Sequence, residues 1–206
     1  LLDGFGQGSG GLSGAGVDHK AAHVLVQAVD GEDVAAEAFL QRGRNFRLRV
    51  QSPEIGPIAG WPPHKSIEES KDVIKNVLAM EESYAICEKD SNRAIGAIAL
   101  KLNGHTDMTE RDDECELGYW IGKPYWGRGY MPEAAKELVR HGFEDLGMTT
   151  IWCGYYDGNN KSKRVQEKVG FLYHHTCDEV PVSLLNEIRV GHTNVMTKEH
   201  WEELYK

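Results

Sequence analysis

Residues 119–134 read YWIGKPYWGRGYMPEA. A short apolar strand runs into Gly127-Arg128-Gly129 and then into a helix that opens on Pro132-Glu133. Glycines at such a junction let the backbone adopt conformations that a Cβ forbids, and let it approach a ligand closely. The helix that follows turns its unpaired N–H groups and the positive end of its dipole back to the same spot. A phosphate-bearing cofactor is the natural occupant. The stretch is not a dinucleotide fingerprint, because Pro132 stands where the third glycine would be and no repeated βαβ unit surrounds it. It is not a Walker loop either, because no Lys-Ser/Thr follows the glycines. A plain strand-to-helix connection would also satisfy it, so the rest of the chain has to choose.

A second unit of the same kind follows. TTIWCGYY (149–156) reads as a strand, Asp157-Gly158 turns the chain, and Asn159 to Lys168 forms a helix stopped by Gly170. Asn159 is well suited to cap that helix, and Ser162 sits on its first turn. Two open, polar helix starts can face one groove, one holding a diphosphate and the other an extended amide-bearing arm.

Working outward, residues 1–17 are rich in glycine and serine with almost no charge, and read as a flexible leader. Residues 18–206 then form a single domain. AHVLVQAVDGED (22–33) is a strand ending in a turn at Asp30-Gly31, with a helical stretch from about Asp33. The Arg-rich segment LQRGRNFRLRVQ (40–51) has no legible period. SPEIGPIAGWPPH (52–64) is a rigid, partly aromatic loop. Ser66 and Glu69 make a capping box, and Val73, Ile74, Val77 and Leu78 follow at helical spacing, which predicts a helix over 66–80. SYAICEKDSNRAIGAIALKL (83–102) is a hairpin, NGHTDMTERDDE (103–114) a polar loop, and CELGYWI (115–121) a strand. The helix MPEAAKELVRHGFEDLGM (131–148) carries Pro132 in its first turn, and FLYHHTC (171–177) and EIRVGHTNVM (187–196) close the chain as an antiparallel pair before an amphipathic tail. This order gives an α+β fold with a mixed, mostly antiparallel central sheet flanked by helices.

Composition narrows the partners. The 23 basic and 32 acidic residues leave a net charge of −9, which argues against nucleic acid, since phosphate contacts need a basic face. The four cysteines show no CxxC, so no metal site is indicated, and they fit reduced thiols of a cytoplasmic protein. No apolar run approaches the ~20 residues that cross a membrane. The opening LLDGFGQGSGGLSGAG lacks the cationic start and apolar stretch of a signal peptide.

ELGYWIGKPYWGRGYMPEA together with NNKSKRVQEKVGF resembles the GNAT superfamily of acyl-coenzyme A transferases. Within it, the chain is similar to the ribosomal-protein alanine N-acetyltransferase branch, whose loop and helix before the sheet SPEIGPIAGWPPHKSIEES also resembles. The likeness covers residues 52–206, and 24–39 more weakly. It implies the GNAT fold, with a sheet splayed at the cofactor groove. It also implies transfer of an acetyl group from acetyl-CoA to a primary amine, of a small molecule or a peptide N-terminus, by direct attack on the thioester. No membrane partner and no metal are implied, and a homodimer is compatible with it. A different class stays open: a catalytically silent acyl-CoA-binding sensor or interaction module on the same fold.

By that resemblance the pyrophosphate loop falls on Trp126, Gly127, Arg128, Gly129, Tyr130 and Met131, with Trp126 in place of an Arg or Gln and Met131 in place of a small residue. Backbone N–H groups do most of the binding there, and these two residues keep theirs. The edge of Tyr119, Trp120 and Ile121 would pair with the pantetheine arm. Asn159 and Ser162 match the second helix start. Lys161, Lys163 and Arg164 either meet the cofactor's outer phosphate or form a solvated basic face. Glu116 is the candidate base, and a surface charge is the alternative. His174 and His175 alternate, so at most one can look into the groove.

Many relatives have a Tyr acid four residues after the serine, where this chain has Gln166. Ser162 is the substitute donor, with Tyr155 and Tyr173 as alternatives, or no acid at all. A strand amide near Tyr119 or Trp120 would stabilise the oxyanion. Cys115 and Cys153 read as core. The loops 57–64 and 104–114 would flank the acceptor mouth, the second carrying Asp107, Glu110, Asp112, Asp113 and Glu114, which attract a cationic amine or form a solvated face.

Overall fold

The computed structural model describes residues 24–28, 52–66, 68, 69, 72, 81–91 and 93–206. The expected leader, the helix from Asp33, the Arg-rich stretch and most of the expected 66–80 helix lie outside the described residues. The start of that last helix is visible: Ser66 Oγ accepts from the Glu69 N–H at 3.0 Å, and the Glu69 carboxylate accepts from the Lys65 N–H. This is a capping box displaced by one residue on its return arm.

The elements are β1 (Val24–Ala28), α1 (Gly56–Ala59), β2 (Ser83–Glu88), β3 (Arg93–Lys101), β4 (Glu114–Ile121), α2 (Tyr130–Glu144), β5 (Thr150–Tyr156), α3 (Asn160–Val169), β6 (Leu172–Val182), β7 (Glu187–Thr197) and α4 (Lys198–Tyr205). They form one sheet in the order β1-β2-β3-β4-β5-β7-β6. Every neighbouring pair is antiparallel except β4 and β5. No described helix is long and apolar enough to cross a membrane.

Alternation along β4 sends Cys115 and Leu117 into the core under α2, and Glu116, Gly118 and Trp120 to the opposite face. From α2, Met131, Ala134, Ala135, Leu138, Val139 and Phe143 are buried against the sheet. Leu138 and Phe143 are fully enclosed, each contributing about 1.5–3 kcal/mol of burial. Tyr130 and Met131, which the resemblance places in the pyrophosphate loop, are the first residues of α2, one residue before the start read from the sequence. Met131 is 4% exposed, so only its backbone can meet a ligand.

The feature that positions the site is where β4 and β5 stop pairing. Their parallel register covers Glu114, Cys115 and Glu116 against Thr150, Ile151 and Trp152. Beyond it the Cys153 thiol donates to the Leu117 carbonyl at 3.2 Å. The rest of β4 then holds only β3, and a gap opens between the central strands.

Gly96 lies opposite Ile121, and a Cβ there would sit 2.4 Å from the Trp120 carbonyl oxygen. Gly96→Ala should therefore force β3 off β4, costing roughly 1–3 kcal/mol and lowering the melting temperature by roughly 3–10 °C. An unchanged thermal melt would contradict the register. Buried His141 on α2 bridges Glu82 Oε2 and Asp145 Oδ2, each at 2.8 Å. Its hydrogen bond, with help from Arg140, holds the Asp145 carboxyl below the usual range against some burial. A depressed carboxyl stabilises the fold above its unfolded pKa, and that contribution is lost as pH falls through the folded pKa. His141→Gln should thus lower the melting temperature at pH 7, and the difference from the parent should shrink below about pH 4.

Candidate active site

The glycine turn has the conformation its sequence suggests. Gly127 and Gly129 have φ of +75° and +86°, in the left-handed region. An added Cβ at either would meet nothing within 4 Å, so it is backbone conformation, not space, that requires glycine. Gly129 caps α2, and Asn159 caps α3 by accepting from the Ser162 N–H at 3.2 Å. Both helix starts open onto one cavity of about 610 Å³, whose walls include Tyr119, Trp126, Gly129, Asn159 and Ser162. The two units read from the sequence do share a groove.

A second cavity, of about 410 Å³, lies on the other face, with Glu116, Trp120, Tyr155 and His192 in its walls. Ile58, Ala59, Tyr119, Trp120 and Asn159 border both cavities, so the two meet at the gap between β4 and β5. The roof over their junction is α1, where the sequence suggests only loop: the Trp61 N–H closes it on the Gly56 carbonyl at 3.0 Å. Lys123 Nζ holds Glu54 at 2.6 Å on one side, and Arg189 donates to the Pro57 carbonyl at 2.6 Å on the other.

The larger cavity is electropositive in a chain of net charge −9. Lys161, Arg164 and Lys168 of α3 line it, and none has an acidic partner among the described residues. Glu54 also lines it but is paired with Lys123. Unpaired cations along α3, with Lys161 in its first turn, together with two helix N-termini fit a polyanion. Arg128, which the resemblance places in the backbone-binding loop, has an exposed side chain that lies outside the lining and sits 5.6 Å over the Tyr125 ring. Trp126 donates its indole N–H to the Ile121 carbonyl at 2.9 Å, which engages one acceptor of the β4 edge.

A chain of polar groups crosses the gap. Asn194 Nδ2 donates to Gln166 Oε1 at 2.8 Å, and Gln166 Nε2 lies 3.2 Å from both the Gly154 carbonyl and Ser162 Oγ. The Tyr119 hydroxyl is 3.0 Å from Ser162 Oγ and 3.2 Å from the Ser162 carbonyl. Burial pushes the Tyr119 phenol up, so at neutral pH it is a donor. Gln166 is 1% exposed with its amide donors engaged, which leaves the two hydroxyls as the exchangeable groups facing the gap.

Glu116 is buried in the smaller cavity, not a surface charge. Lys101 Nζ meets one oxygen at 2.7 Å and Thr106 Oγ1 the other at 2.6 Å. Each oxygen keeps a second lone pair for an amine or a water. The acidic loop is mostly engaged within itself: Arg111 holds Asp113 and Glu114, and Asn103 holds Asp112. Asp107, exposed at the cavity, has no hydrogen-bond or ion-pair partner among the described residues.

His174 and His175 line neither cavity. A bulge after Tyr173 breaks their alternation, and their Nδ1 atoms approach to 2.7 Å. The histidine that does line the smaller cavity is His192, with Nε2 3.2 Å from Asp157 and Nδ1 2.8 Å from Thr176. No motif marks it in the sequence; its place opposite Tyr155 in the β5–β7 register puts it there. Tyr155 also lines the smaller cavity, whereas Tyr173 is exposed on β6 outside both cavities.

Comparison with known proteins identifies relatives of both the sequence and the fold. The profile of the acetyltransferase (GNAT) domain matches residues 28–172. A Bacillus subtilis (strain 168) protein named as a ribosomal N-acetyltransferase, YdaF, is 37% identical over 77 residues, which is 37% of this chain and 42% of that one. The chain therefore matches less than half the length of that relative. A GNAT-family acetyltransferase structure from Bacillus anthracis superposes with a TM-score of 0.71 at 17% identity, over 87% of this chain and 98% of that one. The ribosomal-protein-S5-alanine acetyltransferase of Vibrio fischeri gives 0.62 at 16% identity, over 89% and 97%.

Cysteine accessibility offers a direct check on the two cavities. Cys87, Cys115 and Cys153 are buried, while Cys177 is exposed and borders the smaller cavity. Burial pushes the Cys115 thiol up to about 12 and that of Cys153 up as well. A maleimide should add once to the native protein, at Cys177, as read by peptide mass spectrometry. Adduct on Cys115 or Cys153 without unfolding would contradict the core.

Proposed function

Since the chain belongs to the acetyltransferase (GNAT) domain family, a family of acyltransferases, we propose that it transfers an acetyl group from acetyl-CoA to a primary amine. One observation carries the proposal: an amide-floored, cation-lined cavity opens through the β4–β5 gap onto a separate cavity bearing carboxylates and aromatic rings. The residues suit the donor. The starts of α2 and α3 would hold its phosphates, and the β4 edge from Gly118 and the Asn159 amide would meet the pantetheine arm. The thioester would then lie in the gap.

On the acceptor side an ammonium must lose a proton before it can attack. Glu116 is placed to receive it, directly or through water, with Lys101 and Thr106 fixing its orientation. Ser162 would donate toward the departing sulfur, with Tyr119 and Gln166 hydrogen-bonded to it from behind. Peptide N-termini are one acceptor class, supported by the named ribosomal acetyltransferase YdaF, and small cationic amines are the other. The free thiols suit a reducing compartment and support a cytoplasmic location.

Calorimetry should show acetyl-CoA binding in the micromolar range or tighter, and Gly129→Glu should abolish it by placing a carboxylate among the amides. An amine panel read by thiol release, in a Cys177→Ser background, should find an acceptor. Glu116→Gln should lower kcat at least about tenfold. Ser162→Ala should lower kcat with little change in acetyl-CoA binding. No binding at millimolar acetyl-CoA would end the proposal.

A further inference from the structure

Resting on that reading, we propose that Lys161, positioned by the face of Trp126, is the cation that takes the diphosphate of the donor nucleotide. Lys161 is the second residue of α3, and Trp126 immediately precedes Gly127 of the turn. Both line the larger cavity, and Lys161 Nζ lies 4.4 Å from the Trp126 ring centroid. The contact spans the mouth between the two helix starts.

The ring is fixed, because its indole N–H is bound to the Ile121 carbonyl at 2.9 Å. An aromatic face attracts an ammonium electrostatically but does not neutralise it, whereas a carboxylate would cancel the charge. Lys161 has no acidic partner among the described residues, so its full charge is presented to the cavity. The turn's own Arg128 is directed onto Tyr125 and does not line that cavity. Arg164 and Lys168 follow Lys161 along one stripe of α3, further from the two helix starts. Of the three, Lys161 stands where amides and dipoles converge.

The assignment can be tested by calorimetry with three probes: CoA, dephospho-CoA lacking the outer phosphate, and pantetheine lacking the nucleotide. Lys161→Met should weaken CoA and dephospho-CoA alike, by roughly tenfold, and leave pantetheine unchanged. Trp126→Leu should weaken both nucleotides about threefold, and should add nothing in the Lys161→Met background. Trp126→Phe, which keeps an aromatic face, should lie between. Circular dichroism melts verify that each variant folds.

A loss confined to CoA would assign Lys161 to the outer phosphate and overturn the inference. So would a further loss from Trp126→Leu on top of Lys161→Met, since Trp126 would then touch the ligand itself. Parent protein that binds CoA, with Lys161→Met binding equally well, removes this inference alone. Parent protein that binds no CoA removes the acetyl-transfer reading and this inference together.

Discussion

The parting of β4 from β5 after Glu116 is the constraint on which the rest of the molecule turns. Two central parallel strands would ordinarily pair along their length, and each unpaired buried N–H or C=O costs about 1–3 kcal/mol. Here the seam is managed piece by piece. Cys153 satisfies the Leu117 carbonyl where pairing ends, and Trp126 satisfies the Ile121 carbonyl at the far end. The stretch between them borders the two cavities, and an extended ligand with amide groups can complete it. The gap is held open by elements that are themselves well anchored: α2 with its buried face below, and α1 tied at both sides above.

Charge is distributed to match. Carboxylates outnumber basic groups overall, yet the acidic loop near the smaller cavity is largely paired within itself, while the cations along α3 have no acidic partners among the described residues. Net charge therefore says little about this groove. Over the few ångströms between a wall and a bound ligand, local unpaired charge outweighs distant charge that salt screens within about 10 Å. The −9 that counts against nucleic acid does not count against a nucleotide in a sheltered slot.

Much of this was legible in the sequence because it depends on short-range rules. The glycines of the turn, the Asn159 cap, the Gly170 stop and the alternation of β4 are local, and each element stands where its residues place it. The pairing of two strand-helix units into one groove was legible as well, because parallel neighbours with helix starts at the same end leave few other arrangements. What was hidden depends on registers and rotamers. The bulge in β6 overrides the expected alternation of His174 and His175, and the register of β7 brings up His192, which no motif marks. Helix α1 was obscured by Pro57, which sits in its first turn, where proline is tolerated, and no local rule showed that the Arg128 side chain folds onto Tyr125.

Gln166 shows how much of the site depends on one buried amide. A phenol at that position could not supply the bonds that Gln166 makes to Asn194, Gly154 and Ser162 together, because it has one donor and no carbonyl. With Gln166 in place, β7, β5 and α3 are tied at one buried point, and the hydroxyl facing the gap becomes that of Ser162. A phenol still reaches this spot, but from the opposite wall: Tyr119 of β4 meets the same serine at 3.0 Å. If Tyr119 gives its proton to the Ser162 carbonyl or Oγ, and Gln166 gives one to Oγ, the serine proton is free to point at the gap. In the proposed reaction that proton sits where sulfur would depart, oriented by two neighbours whose own donors are already committed. Proton delivery then depends on β4 and α3 keeping their spacing across the gap, so the parting of the strands sets the donor geometry as well as the binding slot.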